Sequence, residues 1–451
     1  MMKHVVYDRY PIGNKRFIWK QKDFKLSTFA GVPVHDCGEG LPEEFVDKHV
    51  RHLKEAGFNM MELGWVNHEN AWLAVEACEK HGLDLLFQDM SIMGGMNKYC
   101  LENKVPYEIV EDLVNRLKEK KHVIGYYVWD EPCTDEQLHE ARRQMDMLEK
   151  AAPEALLFTV AIPSYNLEGE NGEGFHWENG LYEPYVEKFV REMDPPVLSF
   201  DYYPIGDYWN AWYDHTFVRE NQLDDSFIWL DIALHRKLAL EKELPFWFYY
   251  QGYPLYAQKD FFIFPIIRSS MYGAILYGAK GLSHYAVGEP KSLVLKSNGD
   301  KDIFFEEMKK IHGEISAMGD TLMALSSKMV YHSADLLPGC EYMEPLVDKI
   351  EDSDIFTGEL PRRTSVGELE DAYGNRYVII LNRDFEAPLS GEIEMKDEFR
   401  VYEVSREDGK QRVAYENTTR LPVCLAPGDA VVLRIQKARE EAFTIKYKLA
   451  E

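Results

Sequence analysis

Basic residues are scarce in this sequence of 451 residues, relative to acidic ones. Lysine and arginine together number 51, aspartate and glutamate number 77, and the net charge at pH 7 is −26. Such a surface repels phosphate backbones and anionic lipids, which disfavours nucleic-acid binding and a role at a membrane surface. The charge says little about a neutral substrate.

Cysteine pairs with metal-ligand spacing are also absent. The six cysteines are widely scattered, and no CxxC or mixed Cys/His spacing indicates a zinc site. A chain of this length does not depend on disulfides for its stability. The sequence therefore predicts no metal ion, and nothing in it indicates a cofactor.

No apolar signal core opens the chain, and no hydrophobic run is long and unbroken enough to cross a membrane. The most apolar stretch, residues 260–282, contains Arg268, Lys280 and Pro265, which favours a buried helix. We therefore expect a reduced, cytoplasmic protein without a membrane partner.

What the sequence does contain is a regular alternation of apolar runs and helical periodicity between about residues 25 and 325, with eight strand–helix units. Gly57, Gly82 and Gly281 stand between a helix and the next strand, where a left-handed glycine ends a helix at little cost. Eight such units fit a closed parallel barrel or an open doubly wound sheet. The lack of a Gly-rich phosphate loop and the count of eight favour the α/β class and a (β/α)8 TIM barrel.

The pattern of apolar and polar residues changes after about residue 326. Strands with alternating apolar and polar residues are separated there by turns, which predicts a small antiparallel β-sandwich. We therefore expect two domains, as the length of the chain also suggests. Residues 1–325 form a catalytic barrel with a short N-terminal extension, and residues 326–451 form the C-terminal β-sandwich domain.

Polar side chains mark the predicted carboxyl ends of the barrel strands, where barrel enzymes carry their chemistry. The fourth strand, GYYVWDEP, ends in Asp130 and Glu131, and a capping box at Thr134 and Gln137 leaves both acids free of a capping role. Carboxylates, amides and aromatic rings at the other ends suit the hydroxyls and apolar faces of a sugar. Taken singly, any of them could instead belong to a loop or to the core. These other residues are Glu62, Trp65, His68, Gln88, Asp89, Asp201, Tyr202, Tyr203, Tyr250, Gln251, Tyr253, His284 and Glu289.

The stretch YYVWDEP, residues 126–132, resembles the fourth-strand motif of the clan A (β/α)8-barrel glycoside hydrolases, which usually reads Asn-Glu-Pro. Residues 266–287 and the small β domain are similar to the family 42 β-galactosidases. The resemblance implies a carbohydrate substrate, with Glu131 as general acid/base and Asp130 as a sugar contact. Members of the clan often associate, so a homo-oligomer is a further expectation.

Two positions depart from that pattern: Asp130, where the clan has Asn, and Gln251. Clan A members carry a nucleophilic glutamate at the end of the seventh strand, where this chain has Gln251, and an amide cannot serve as the nucleophile. Another strand could supply the second carboxylate, or the enzyme could be inverting, with carboxyl groups about 6.5–9.5 Å apart in place of about 5–5.5 Å. A barrel that binds sugar without cutting it is the third interpretation. A metal-dependent barrel enzyme is disfavoured, because the chain lacks an HxH pair.

The leading hypothesis is a glycoside hydrolase that acts on short oligosaccharides or glycosides and is β-galactosidase-like. Glu131 is the general acid/base, kept protonated by burial against Trp129 and Tyr127, and Asp201 is the second carboxylate. The alternative is a catalytically altered sugar-binding barrel. The predicted substrate-binding residues are Asp130, Gln251, Trp65, His68, Asp89, Trp129, Tyr203, Tyr250, His284 and Glu289, with Asp89 and Glu289 as substitutes for Asp201.

Overall fold

Eight short parallel strands form the first part of the chain in the computed structural model. Their spatial order is β1-β8-β7-β6-β5-β4-β3-β2. The ring closes between β1 and β2, where the backbone amide of Asn59 donates to the carbonyl of Leu26 at 3.0 Å. The structure describes residues 17–29, 41–64, 66–92, 101–164, 174–175, 177, 179–203, 228–252, 263–287, 294–335 and 346–438. The strands are β1 Lys25–Thr28, β2 Met60–Glu62, β3 Asp84–Phe87, β4 Val123–Asp130, β5 Leu156–Ala161, β6 Leu198–Tyr202, β7 Phe246–Gln251 and β8 Gly281–Tyr285.

Each of these strands is followed by a helix within the described ranges, so the predicted (β/α)8 barrel is confirmed. The helices bury one apolar face against the strands, as their 3.6-residue periodicity predicts. They are α1 Glu43–Glu55, α2 His68–His81, α3 Tyr107–Leu117, α4 Asp135–Ala151, α5 Tyr182–Met193, α6 Ile228–Lys242, α7 Ile263–Leu276 and α8 Phe305–Ala324.

The glycines between helices and strands behave as predicted at two of three positions. Gly57 and Gly82 have φ values of 90° and 68°, the left-handed conformation that ends a helix. Gly281 lies inside β8 instead, and a Cβ there would come within 2.6 Å of the Trp247 ring. That glycine is required by close packing inside the barrel, and Gly278, with φ 102°, is the left-handed residue of that joint.

The remaining strands form an antiparallel sheet, as expected for the C-terminal region. Its order is β10-β13-β15-β12-β11-β9, with β14 paired to β13. Within the described residues, hydrogen bonds join all seven strands into one sheet that curves over its own apolar core, in place of two separate sheets. The strands are β9 Ser326–His332, β10 Phe356–Thr357, β11 Thr364–Glu370, β12 Arg376–Asn382, β13 Leu389–Val404, β14 Gln411–Leu425 and β15 Ala430–Lys437.

The junction of the two parts lies next to the predicted boundary. Helix α8 ends at Ala324, and β9 begins at Ser326. The division into domains at residues 325 and 326 stays a prediction, because apolar residues of β12 and β15 share one buried cluster with the barrel helices.

The barrel interior is filled with aromatic rings. Tyr127 from β4 and Trp247 from β7 both contact Phe158 from β5, with ring centroids 5.8 and 5.2 Å apart. Alternate residues of each strand face the surrounding helices. This alternation decides which strand-end residues meet above the aromatic layer.

Candidate active site

Two carboxyl groups meet at the mouth of the barrel. Glu131 follows the last residue of β4, and Asp201 lies in β6, with β5 between the two strands. The side chains of Glu131 and Tyr203 both hydrogen-bond to the Asp201 carboxyl. Among the described residues, the Oδ1 atom of Asp201 is buried without a hydrogen-bond partner. The site therefore offers a close carboxyl pair together with a buried acceptor.

The environment of Asp201 favours its neutral form. The residue is 5% exposed, and desolvation by burial raises its pKa well above the ordinary carboxyl value. The charge of Asp130 raises the pKa further, whereas the hydrogen bonds from Tyr203 and Glu131 act in the opposite direction. Two carboxyl groups in direct contact retain one proton between them, because both cannot ionise at such a short distance.

The backbone at Glu131 is held in an unusual conformation. Its φ is 49°, in the left-handed region that a residue with a side chain rarely adopts. The Glu131 amide donates to the Val160 carbonyl at 3.2 Å, and α4 starts a few residues later with the predicted capping box of Thr134 and Gln137. Such strain persists where the surroundings enforce it, and it is concentrated at functional sites.

Asp130 lies beside the pair and is held from below. The Tyr127 hydroxyl donates to its Oδ1 atom at 2.6 Å, and only 8% of Asp130 is exposed. The Tyr127 hydroxyl is thus engaged with Asp130, and Trp129 packs in the cluster between the strands and the helices. The expectation that Trp129 and Tyr127 bury Glu131 is therefore not what the structure has, and Glu131 is partly exposed.

A further carboxyl group, Glu62, lies at the end of β2. It is fully buried and accepts hydrogen bonds from the hydroxyls of Tyr249 and Ser283. Burial raises its pKa to about 7 against the opposing effect of these donors, and the charge of Asp130 contributes to the rise. By sequence alone, Glu62 stands at a strand end with no predicted role. Its signal was a lone charge inside the apolar run NMMELGW.

Aromatic rings line the mouth next to the pair. Tyr203 stacks on Tyr285 with a centroid separation of 4.7 Å, and Tyr285 in turn stacks on Phe29 at 5.6 Å. Gln251, the last residue of β7, is 5% exposed and pairs in register with Tyr285. Tyr285 and Phe29 were not among the predicted lining residues. Only the alternation of inward and outward positions along β8 and β1 could have indicated them.

Two predicted lining residues lie elsewhere. Tyr250 and His284 are fully buried on the outer side of the strands, where the His284 Nδ1 atom and the Tyr250 hydroxyl are 3.2 Å apart. Both pack towards His312 of α8 and Phe58, because successive residues of a strand face opposite sides. The structure therefore does not bring them, or Trp129, to the carboxyl pair.

His68 and Asp89 form a separate contact at the same end of the barrel. The His68 Nδ1 and Asp89 Oδ2 atoms are 2.5 Å apart, and Asp89 also accepts hydrogen bonds from the backbone and hydroxyl of Ser91. Asp89 thus shapes its own loop and orients the half-exposed His68. Trp65 and Glu289 lie outside the described residues.

The described part of the chain contains no group of three His, Cys, Asp or Glu residues placed to hold a metal ion. In the same part, no helix combines the length and apolar character that crossing a membrane requires.

Comparison with known proteins reveals similarity of fold. No family model matches the chain, and no curated protein matches it. A glycoside hydrolase family 5 structure from Bacteroides vulgatus has a TM-score of 0.55 at 11% identity, over 97% of this chain and 96% of that one. The overall arrangement of barrel and β region is thus similar to that of a glycoside hydrolase.

Two other glycoside hydrolase structures match with lower scores. A family 51 arabinofuranosidase from Xanthomonas axonopodis pv. citri has a TM-score of 0.47 at 9% identity, over 94% of this chain and 97% of that one. A β-D-glucuronidase from Dictyoglomus thermophilum has a TM-score of 0.44 at 14% identity, over 67% and 53%. Membership of family 42 stays a prediction.

Proposed function

We propose that this chain is a glycoside hydrolase acting on short oligosaccharides or glycosides, with a β-galactosidase-like reaction. The observation that carries the proposal is the hydrogen-bonded pair of Glu131 and Asp201 at the carboxyl ends of β4 and β6. The likeness in fold to a family 5 glycoside hydrolase supports the same class. The pair provides the two carboxyl groups that glycoside hydrolysis needs.

The roles of the pair follow from exposure and burial. Glu131 is partly exposed and faces the opening, so it is placed to give its proton to the oxygen of the leaving group. In the free site the neutral form of Asp201 is favoured, so the reaction starts once the shared proton has moved to Glu131. The ionised Asp201 then attacks the anomeric carbon while the bond to the leaving oxygen breaks. Glu131 then removes a proton from water, which attacks the anomeric carbon and releases Asp201.

The spacing of the pair favours retention of the anomeric configuration. Retaining enzymes have carboxyl groups about 5–5.5 Å apart, and inverting enzymes leave about 6.5–9.5 Å for a water molecule. Glu131 and Asp201 are close enough to hydrogen-bond, which leaves no room between them for the water molecule of an inverting reaction. We therefore assign Asp201 as the nucleophile of a two-step reaction.

The surroundings of the pair suit a sugar. The stacked rings of Tyr203 and Tyr285 offer apolar faces, and Asp130 and Gln251 offer hydrogen-bonding groups for hydroxyls. The unpartnered Oδ1 atom of Asp201 is a further acceptor at the same place. Such a mixture of aromatic faces and few placed polar groups is typical of a small-molecule site.

The test is a panel of aryl β- and α-glycosides with the wild type and with Glu131→Gln, while NMR follows the anomer of the first product. We expect β-galactoside turnover with retained configuration, lowered in Glu131→Gln by at least about a hundredfold. Glu368→Gln is a matched control in β11, because it removes a buried, hydroxyl-bonded carboxyl far from the pair. Undiminished turnover in Glu131→Gln contradicts the assignment, and an inverted product removes the nucleophilic role of Asp201.

Gln251 favours a second candidate function, a barrel that binds carbohydrate without hydrolysing it. The residue ends β7, the strand that carries the nucleophile in clan A, and its amide cannot form a glycosyl ester. Saturable binding of sugars with no turnover of any glycoside in the panel is the result expected from that candidate.

A further inference from the structure

The Glu62 carboxyl lies in the barrel interior below the carboxyl pair. It accepts hydrogen bonds from two strands besides its own, from Tyr249 of β7 and from Ser283 of β8 at 3.0 Å, and Ser27 of β1 lies nearby. Its relative exposure is 0%. The proposed reaction does not use this group. No cation among the described neighbours of Glu62 pairs with it, and such a buried carboxyl is expensive to maintain.

A line of hydroxyl groups leads from Glu62 towards the site. Tyr249 donates to Glu62, Tyr127 donates to Asp130, and the two tyrosine hydroxyls lie close enough to interact with each other. Asp130 in turn acts electrostatically on both Glu62 and Asp201. Glu62, Tyr249 and Tyr127 are at most 2% exposed, so solvent screens these interactions only weakly.

We infer that Glu62 is a positioning residue, which holds the Tyr249 hydroxyl beside Tyr127 and acts by its charge on Asp130 and, through the space beside Asp130, on the Glu131–Asp201 pair. This inference rests on the proposed function for its effect on catalysis. The coupling between Glu62 and the pair does not depend on which substrate the site binds.

The direction of the coupling follows from electrostatics. An ionised Glu62 adds a negative charge near Asp130 and thereby makes it harder for the pair to lose its shared proton. The groups that face Glu62 are Tyr249, Ser283, Ser27, Asp130 and Tyr127, and none of them is a cation. Removal of the Glu62 charge should therefore make the pair more acidic.

The first test is the pH dependence of kcat/KM in Glu62→Gln, which keeps the shape of the side chain and removes its charge. We expect the alkaline limb to move to lower pH by roughly half a unit or more. Tyr249→Phe, which breaks the line at one hydroxyl, should move the limb in the same direction, since Glu62 then stays protonated to higher pH. Glu368→Gln is the matched control, because Tyr331 and Ser353 bond to Glu368 as Tyr249 and Ser283 bond to Glu62.

The second test needs no turnover and keeps this inference separate from the proposed function. In an infrared titration of carboxyl groups from about pH 5 to about pH 9, we compare Glu62→Gln with Glu368→Gln, each of which removes one carboxyl group. Only Glu62→Gln should also lower the midpoint of the carboxyl that titrates last, which we assign to the pair. If neither Glu62→Gln nor Tyr249→Phe shifts that midpoint, Glu62 has a structural role alone and the inference is overturned. If the shift occurs in a protein that hydrolyses no glycoside, the inference stands and the proposed function fails.

Discussion

Asp201 illustrates at the residue scale how a functional group can reduce stability. Burial raises its pKa above that of an unfolded carboxyl, so the folded state holds the proton more tightly than the unfolded state does. Between about pH 4 and the raised folded value, the unfolded chain releases this proton and the folded chain retains it. The free energy of unfolding therefore falls as the pH rises through this window.

Asp201→Asn should remove this pH dependence. We expect the variant to match the wild type near pH 4 and to be more stable by a few kcal/mol near pH 9, with hydrolysis lost. Thermal unfolding across that pH range measures the effect. Asp112→Asn, on the exposed face of α3, is the control and should follow the wild type at every pH. A constant difference between Asp201→Asn and the wild type at all pH values would contradict the argument.

At the element scale, α4 fixes the segment that carries Glu131. The Gln137 Oε1 atom accepts hydrogen bonds from the backbone amides of Cys133 at 2.8 Å and Thr134 at 3.1 Å, and the Thr134 hydroxyl accepts from the Gln137 amide at 3.2 Å. Thr134→Ala should lower the free energy of unfolding by about 1 kcal/mol, because it removes the cap. Denaturant unfolding measures this loss. Thr321→Ala in the last turn of α8 removes the same atoms where no N-terminal amide needs a cap, and an equal loss there would mean that capping is not the cause.

The elements also show what sequence could and could not predict. The eight strand–helix units, the capping box at Thr134 and the meeting of Glu131 with Asp201 all follow from local patterns and the rule that strand ends meet at one face. The direction of side chains within a strand does not follow, because barrel strands are buried on both faces and read as continuous apolar runs. In FWFYYQ, Tyr249 and Tyr250 are equivalent by sequence, yet Tyr249 reaches Glu62 and Tyr250 packs against α8.

At the scale of the whole molecule, the barrel and the C-terminal sheet are joined by charge as well as by apolar packing. Arg268 of α7 bonds to Asp429 at 2.7 Å and to Glu314 of α8 at 2.6 Å, and Arg406 reaches the same Asp429 at 3.1 Å. The Arg268 side chain is only 11% exposed. Both partner carboxylates would lose a largely desolvated cation if this arginine were replaced.

Arg268→Met should therefore lower the free energy of unfolding by on the order of 3 kcal/mol, whereas Arg191→Met at an exposed ion pair should cost less than about 1 kcal/mol.

Because Ile379 and Val432 of the sheet belong to one buried cluster with the barrel helices, the two parts should unfold together. Calorimetry of Arg268→Met is then expected to show one transition at a lower temperature than in the wild type. Two transitions, of which only one shifts, would mean that the sheet and the barrel are independent units and that Arg268 stabilises only one of them.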